Sequence, residues 1–90
     1  MLAARENIVW RKKKELLVVL DTDSGNYFTL NETAQDLWMA HIVEGTSLDD
    51  AVQQISEKYG NNPPLQQIRD DCLKMIEDWK ENNLVLPITE

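Results

Sequence analysis

Ninety residues carry 16 Asp and Glu against nine Lys and Arg, a net charge of −7, with 42% hydrophobic residues and one cysteine. A chain this short builds one domain, taken as 1–90, around one core; a lone cysteine excludes an internal disulfide and suits the reducing cytoplasm. No apolar run nears the ~20 residues of a membrane span, Met1 to Ala4 meets Arg5 and Glu6 too soon for a signal peptide, and the one cationic cluster, Arg11–Lys14, falls short of the basic face that nucleic acid requires.

In chain order, Ile8-Val9-Trp10 reads as a first strand and Leu16-Leu17-Val18-Val19-Leu20 as a second, with Arg11–Lys14 where a hairpin turn falls. Asp21-Thr22-Asp23-Ser24-Gly25 is a cluster of turn residues. Asn26 to Leu30 forms a third strand, Tyr27 and Thr29 on one face, Phe28 and Leu30 on the other. It runs directly into a helix, because Asn31 is a good N-cap and Ala34, Leu37, Trp38, His41 and Ile42 recur at helical spacing. Gly45 ends that helix. Ser47 with Asp50 resembles a capping box, opening a second helix with Leu48, Ala51, Val52, Ile55 and Tyr59 as its stripe. Gly60-Asn61 stops it, and Asn62-Pro63 reads as the N-cap and first residue of a third helix over roughly 64 to 82.

That helix buries Leu65, Ile68, Cys72, Met75, Ile76 and Trp79 along one stripe. Leu73 lies off it, framed by Arg69 and Lys80, while Asp71, Lys74 and Asp78 take the opposite flank. The Leu73 flank is either a widened core stripe or the wall of a groove. Leu84-Val85-Leu86 is a last short extended piece. The order β-β-β-α-α-α is an α+β domain, a three-stranded antiparallel sheet packed on three helices.

The chemistry of an enzyme is missing from this pattern. His41 and Cys72 sit on core-facing stripes and form no tetrahedral metal set. No phosphate loop, dinucleotide fingerprint, nucleophile elbow or HExxH occurs. Asp70-Asp71 and Glu77-Asp78 serve as the solvated face of a helix, and Trp38 and Trp79 as core. The expectation is a protein that is not an enzyme and needs no cofactor or metal.

The stretches "GNYFTLNETAQDLW", "EGTSLDDAVQQISEKYG" and "IRDDCLKMIEDWKENNLV" resemble the PqqD-like family across residues 8 to 86. The most specific piece is Gly25-x-Tyr27-Phe28-x-Leu30-Asn31-x-Thr33-Ala34. The resemblance implies a winged helix-turn-helix that captures the leader of a ribosomal precursor peptide rather than DNA. The leader adds as a strand beside Asn26, Tyr27, Phe28, Thr29 and Leu30, in a groove walled by Arg69, Leu73, Ile76 and Lys80. The captured leader passes to a separate maturation enzyme. Members devoted to quinone assembly often show Pro-Glu after the third strand and Asp-Gly after the first helix, where this chain has Leu30-Asn31 and Glu44-Gly45. It looks closer to stand-alone members that accompany a lasso-peptide leader peptidase. The alternatives are a chaperone for a radical SAM peptide-modifying enzyme, a subunit that merely stabilises an enzyme, and a winged-helix DNA-binding regulator. The third helix argues against the last, since Arg69, Lys74 and Lys80 are outnumbered by Asp70, Asp71, Glu77, Asp78 and Glu81.

Overall fold

A computed structural model describes residues 2–60 and 62–87. In chain order they form β1 (Leu2–Ala4), β2 (Ile8–Lys13), β3 (Leu16–Asp21), β4 (Tyr27–Leu30), α1 (Glu32–Leu37), a π-helical turn (Trp38–Val43), α2 (Leu48–Lys58), α3 (Leu65–Glu81) and β5 (Val85–Pro87). The expected antiparallel sheet is present in the order β2-β3-β4, and three helices follow it. A second, two-stranded sheet was not expected. Leu2, Ala3 and Ala4 pair with Pro87, Leu86 and Val85, so the extended piece near residue 84 becomes β5. Leu-Ala-Ala has no β-forming signature of its own, and its conformation comes from that partner.

Three boundaries differ from those expected. The basic tetrad is mostly strand: Arg11 pairs with Val18 and Lys13 with Leu16, leaving a two-residue turn in which Lys14 takes φ 58°. Lysine and arginine heads stay in water there while the backbone completes the ladder. The helix from Asn31 starts as expected, with Asn31 Oδ1 accepting from the Ala34 N–H at 3.0 Å, but widens into the π turn at Trp38. Trp38, His41 and Ile42 are all buried in that turn, and Gly45 at φ 77° ends it. Asn62-Pro63 does not open the third helix. Pro63 precedes another proline and is steered away from the helical region, so Pro64 is the N-cap and Leu65 the first helical residue. Asn61, half of the expected stop before it, lies outside the described residues.

Ser47 supplies its half of the capping box, its Oγ accepting from the Asp50 N–H at 3.2 Å. The core centres on Trp38, fully buried. Its ring meets Trp10 edge-on at 5.7 Å between centroids and Trp79 at 5.2 Å, the crossed geometry that aromatic quadrupoles favour. Trp10 belongs to β2 and Trp79 to α3, so three aromatic rings join sheet, first helix and last helix. β4 packs on β3 and α1, whereas α3 packs on α2, α1 and β5. Among the described residues no helix is long and apolar enough to cross a membrane.

Candidate functional site

Both ends of β4 are anchored by short-range chemistry. At its start, the Asp21 carboxylate accepts from the Asn7 side-chain amide at 2.7 Å and from the Asp23 N–H at 2.9 Å. The Asn7 bond, aided by those backbone donors, holds the Asp21 carboxyl below its ordinary range. The Gly25 N–H returns to the Asp21 carbonyl at 2.8 Å, with Gly25 at φ 78°, a conformation glycine adopts without strain. At the far end, Gln35 donates to the carbonyls of Leu30, at 3.1 Å, and of Glu15. That one amide ties the end of β4 to the β2–β3 turn, and Asn31 caps α1 in the next residue.

The ladder phase then decides what β4 exposes. Asp21 N–H donates to the Asn26 carbonyl at 2.9 Å, so Asp21 and Asn26 face each other through hydrogen bonds. In an antiparallel pair such positions alternate, and the register Val19↔Phe28, Leu17↔Leu30 continues them. Tyr27 and Thr29 therefore turn their N–H and C=O groups away from β3. The Thr22 N–H to Asn7 carbonyl bond, 2.8 Å, sets the complementary phase on the β2 side. Among the described residues β4 ends the sheet, so these groups lie along an open, uncharged edge. The other open edge, β2, carries Arg11, Lys12 and Lys13, the charges by which edge strands resist pairing.

The same register lays out the outer face of the sheet. Val9, Leu20 and Tyr27 form one cross-strand row, Arg11, Val18 and Thr29 the next, and Lys13 and Leu16 a third. Together they line a shallow depression of about 750 Å³. Tyr27 is 69% exposed, Val9 48% and Leu16 44%. The sequence reading missed this face, although its signal was present. Leu16 to Leu20 is apolar without alternation, the pattern of a strand covered on both sides.

The family model for coenzyme PQQ synthesis protein D (PqqD) matches residues 17–85. The chain belongs to the PqqD family. No curated protein matches its sequence. Among solved structures, this PqqD-family chain is similar to lasso peptide synthetase B1 complexed with the leader peptide, at 28% identity and a TM-score of 0.84, over 96% of this chain and 98% of that one. It is also similar to TbiB1 in complex with the TbiA(beta) leader peptide, at a TM-score of 0.83 over 98% and 99% of the two chains. Identity there is 17%, and the likeness is one of fold.

Of the α3 residues expected to wall a groove in this PqqD-family protein, Leu73 is 42% exposed and Lys80 is exposed, while Ile76 is buried in the core. Arg69 is already engaged: it donates to the Asp49 carboxylate at the start of α2, which holds its proton more tightly than usual. The pair sets the Arg69–Leu73 flank beside α2 and leaves the Asp71–Met75 flank on the other side of the helix. Lys58 likewise bridges Asp36 at 2.9 Å and Glu32 at 3.2 Å, clamping α2 to α1. Cys72 is fully buried, and desolvation pushes its thiol up to about 11. A thiol so poised is a packing group, not a nucleophile. Among the described residues no group of three or more His, Cys, Asp and Glu is placed to hold a metal.

Proposed function

We propose that this PqqD-family chain is a non-enzymatic cytoplasmic adaptor, built as a winged helix-turn-helix. It captures the leader of a ribosomal precursor peptide by strand addition to β4 and delivers it to a separate maturation enzyme. The carrying observation is the asymmetry of the sheet's two edges, β4 open and uncharged, β2 guarded by cations. The likeness to a lasso peptide synthetase B1 solved with a leader peptide supports the guest and favours the leader peptidase of a lasso-peptide pathway as the enzyme. A radical SAM peptide-modifying enzyme is the alternative recipient.

The energetics set what else the guest must do. Tyr27 and Thr29 each offer one N–H and one C=O, and ladder bonds at about 0.5–1.5 kcal/mol each sum to roughly 2–6 kcal/mol. A micromolar complex needs about 8 kcal/mol beyond the cost of association. Two or three leader side chains must therefore bury as well, at about 1.5–3 kcal/mol for each Leu-sized group. Phe28, half-buried on the inner face, together with the exposed Leu73 and Lys80 of α3, supplies that surface; Ile76 stays in the core behind them, and Arg69 holds the wall in place through Asp49.

Calorimetric titration with the leader of the precursor encoded beside this chain tests the reading. Micromolar or tighter binding is expected, with amide chemical-shift changes concentrated at Tyr27 to Leu30. No heat and no shift change along β4 overturns it.

A further inference from the structure

A sheet packed on helices needs one apolar face, and β2-β3-β4 has two. Its inner face turns Leu17, Val19 and Leu30 into the core, all buried. Its outer face places Leu16, Val18 and Leu20 in a continuous line down the central strand, flanked by Val9 and Tyr27. No element of the fold covers that line among the described residues: α1 is the helix that packs on β3 and β4, on the side of the buried Leu17, Val19 and Leu30, and α2 and α3 pack against α1. Apolar surface of this extent on a small chain marks a place of contact.

We infer that this outer face is the docking surface for the maturation enzyme, met by apolar side chains of that enzyme flanked by carboxylates. The inference rests on the reading of β4 as the capture edge. Charge complementarity chooses the occupant. The face carries Arg11 and Lys13 along its β2 border and no acidic side chain, so a partner with carboxylates at that border pairs with them. A second copy of this chain has no acid on the matching face to offer, and each copy carries −7, which opposes self-association at moderate salt.

Continuity with the capture edge adds a second argument. A strand added beside β4 alternates its side chains between the two faces of the sheet. Those on the inner side reach toward Phe28 and the helices, while those on the outer side lie next to Tyr27 and Thr29 and extend the apolar rows. The enzyme then meets a surface that is complete only when the leader is in place, and the same strand that selects the guest also reports its presence.

Val9→Glu and Leu16→Glu test this, because both residues are more than 40% exposed and neither lies on β4 or α3. The probes are the synthetic leader and the purified leader peptidase of the same gene cluster, its binding followed by surface plasmon resonance with and without leader. Leader affinity within twofold of wild type and peptidase affinity at least tenfold weaker are expected for both variants. Wild-type protein is expected to hold the peptidase more tightly when loaded. Variants that bind the peptidase like wild type overturn the inference, as does light scattering that shows a wild-type dimer dissociated by these substitutions. Wild-type protein that binds no leader overturns the capture reading beneath it instead.

Discussion

Thr29→Pro separates what β4 does for the fold from what it does for a guest. The Val18–Thr29 position lies between the hydrogen-bonded pairs of the ladder, so the Thr29 N–H contributes nothing to the β3–β4 pairing. Proline removes that donor and is tolerated on an edge strand, and Phe28 before it is already extended. Protein stability should fall by about 1 kcal/mol through lost β propensity, a drop of roughly 4–8 °C in thermal midpoint for a domain of this size. A captured strand loses more. One ladder bond goes and the guest carbonyl opposite is left unpaired at a desolvated edge, together about 2–3 kcal/mol, or roughly a 30- to 150-fold rise in Kd. Fluorescence anisotropy with a labelled leader gives the second quantity and a circular dichroism melt the first. Phe28→Pro is the control, because the Phe28 N–H is committed to Val19 and its loss breaks the ladder; that variant should fail to fold. Leader binding by Thr29→Pro within threefold of wild type refutes the reasoning. So does unfolding of Thr29→Pro beside a stable Phe28→Pro, which reverses the ladder phase.

Leu73→Asp should weaken leader binding roughly 10- to 100-fold, the value of burying one leucine, while moving the thermal midpoint by only a few degrees, because Leu73 is already 42% exposed. Unchanged affinity moves the groove to the Asp71–Met75 flank of α3, and unfolding assigns Leu73 to the core. Cys72 should stay unreactive to iodoacetamide at pH 8 until the protein unfolds, its thiolate fraction being about 100-fold below that of an ordinary thiol. Its folded thiol titrates near 11, above the ordinary 9.0, so the unfolded chain loses the proton first. The stabilisation it gives is whole below pH 9 and disappears as the pH rises through 11; denaturant melts should show the decline, and Cys72→Ala should reduce it.

The third strand and its junction with the first helix were legible because every residue there speaks locally. Asn31 caps, Gly25 takes positive φ, and Tyr27 to Leu30 alternate. The boundaries that moved were those where a neighbour in space outweighed the local signal. Arg11 to Lys13 look like a turn until β3 pairs with them, and Leu2 to Ala4 look like nothing until β5 does. Two adjacent prolines postponed the third helix. Within the candidate site, helical spacing set Leu73 off the core stripe but left open whether it was covered, which its 42% exposure decides, and the capture of Arg69 by Asp49 spans two helices where no spacing rule reaches. The outer face was written in Leu16 to Leu20 as an absence of alternation, which becomes informative only once the register shows that nothing in the fold covers one side.

An open strand edge is a hazard as well as a site, and the construction of β4 answers both demands. Left long and flat, such an edge recruits any extended chain. β4 is four residues long, about 13 Å at ~3.3 Å each, and only Tyr27 and Thr29 offer free backbone groups. The turn pinned by Asp21 fixes one limit, and the Asn31 cap with the Gln35 bond to Leu30 fixes the other. Roughly 2–6 kcal/mol of ladder bonding falls short of what a stable encounter costs. A chance strand, another copy of the edge included, is therefore released, and only a peptide that also fills the inner surface with apolar side chains stays. On this reasoning specificity comes from the shortness of the strand rather than from any single contact. Lengthening β4 should raise affinity for unrelated extended peptides faster than for the leader.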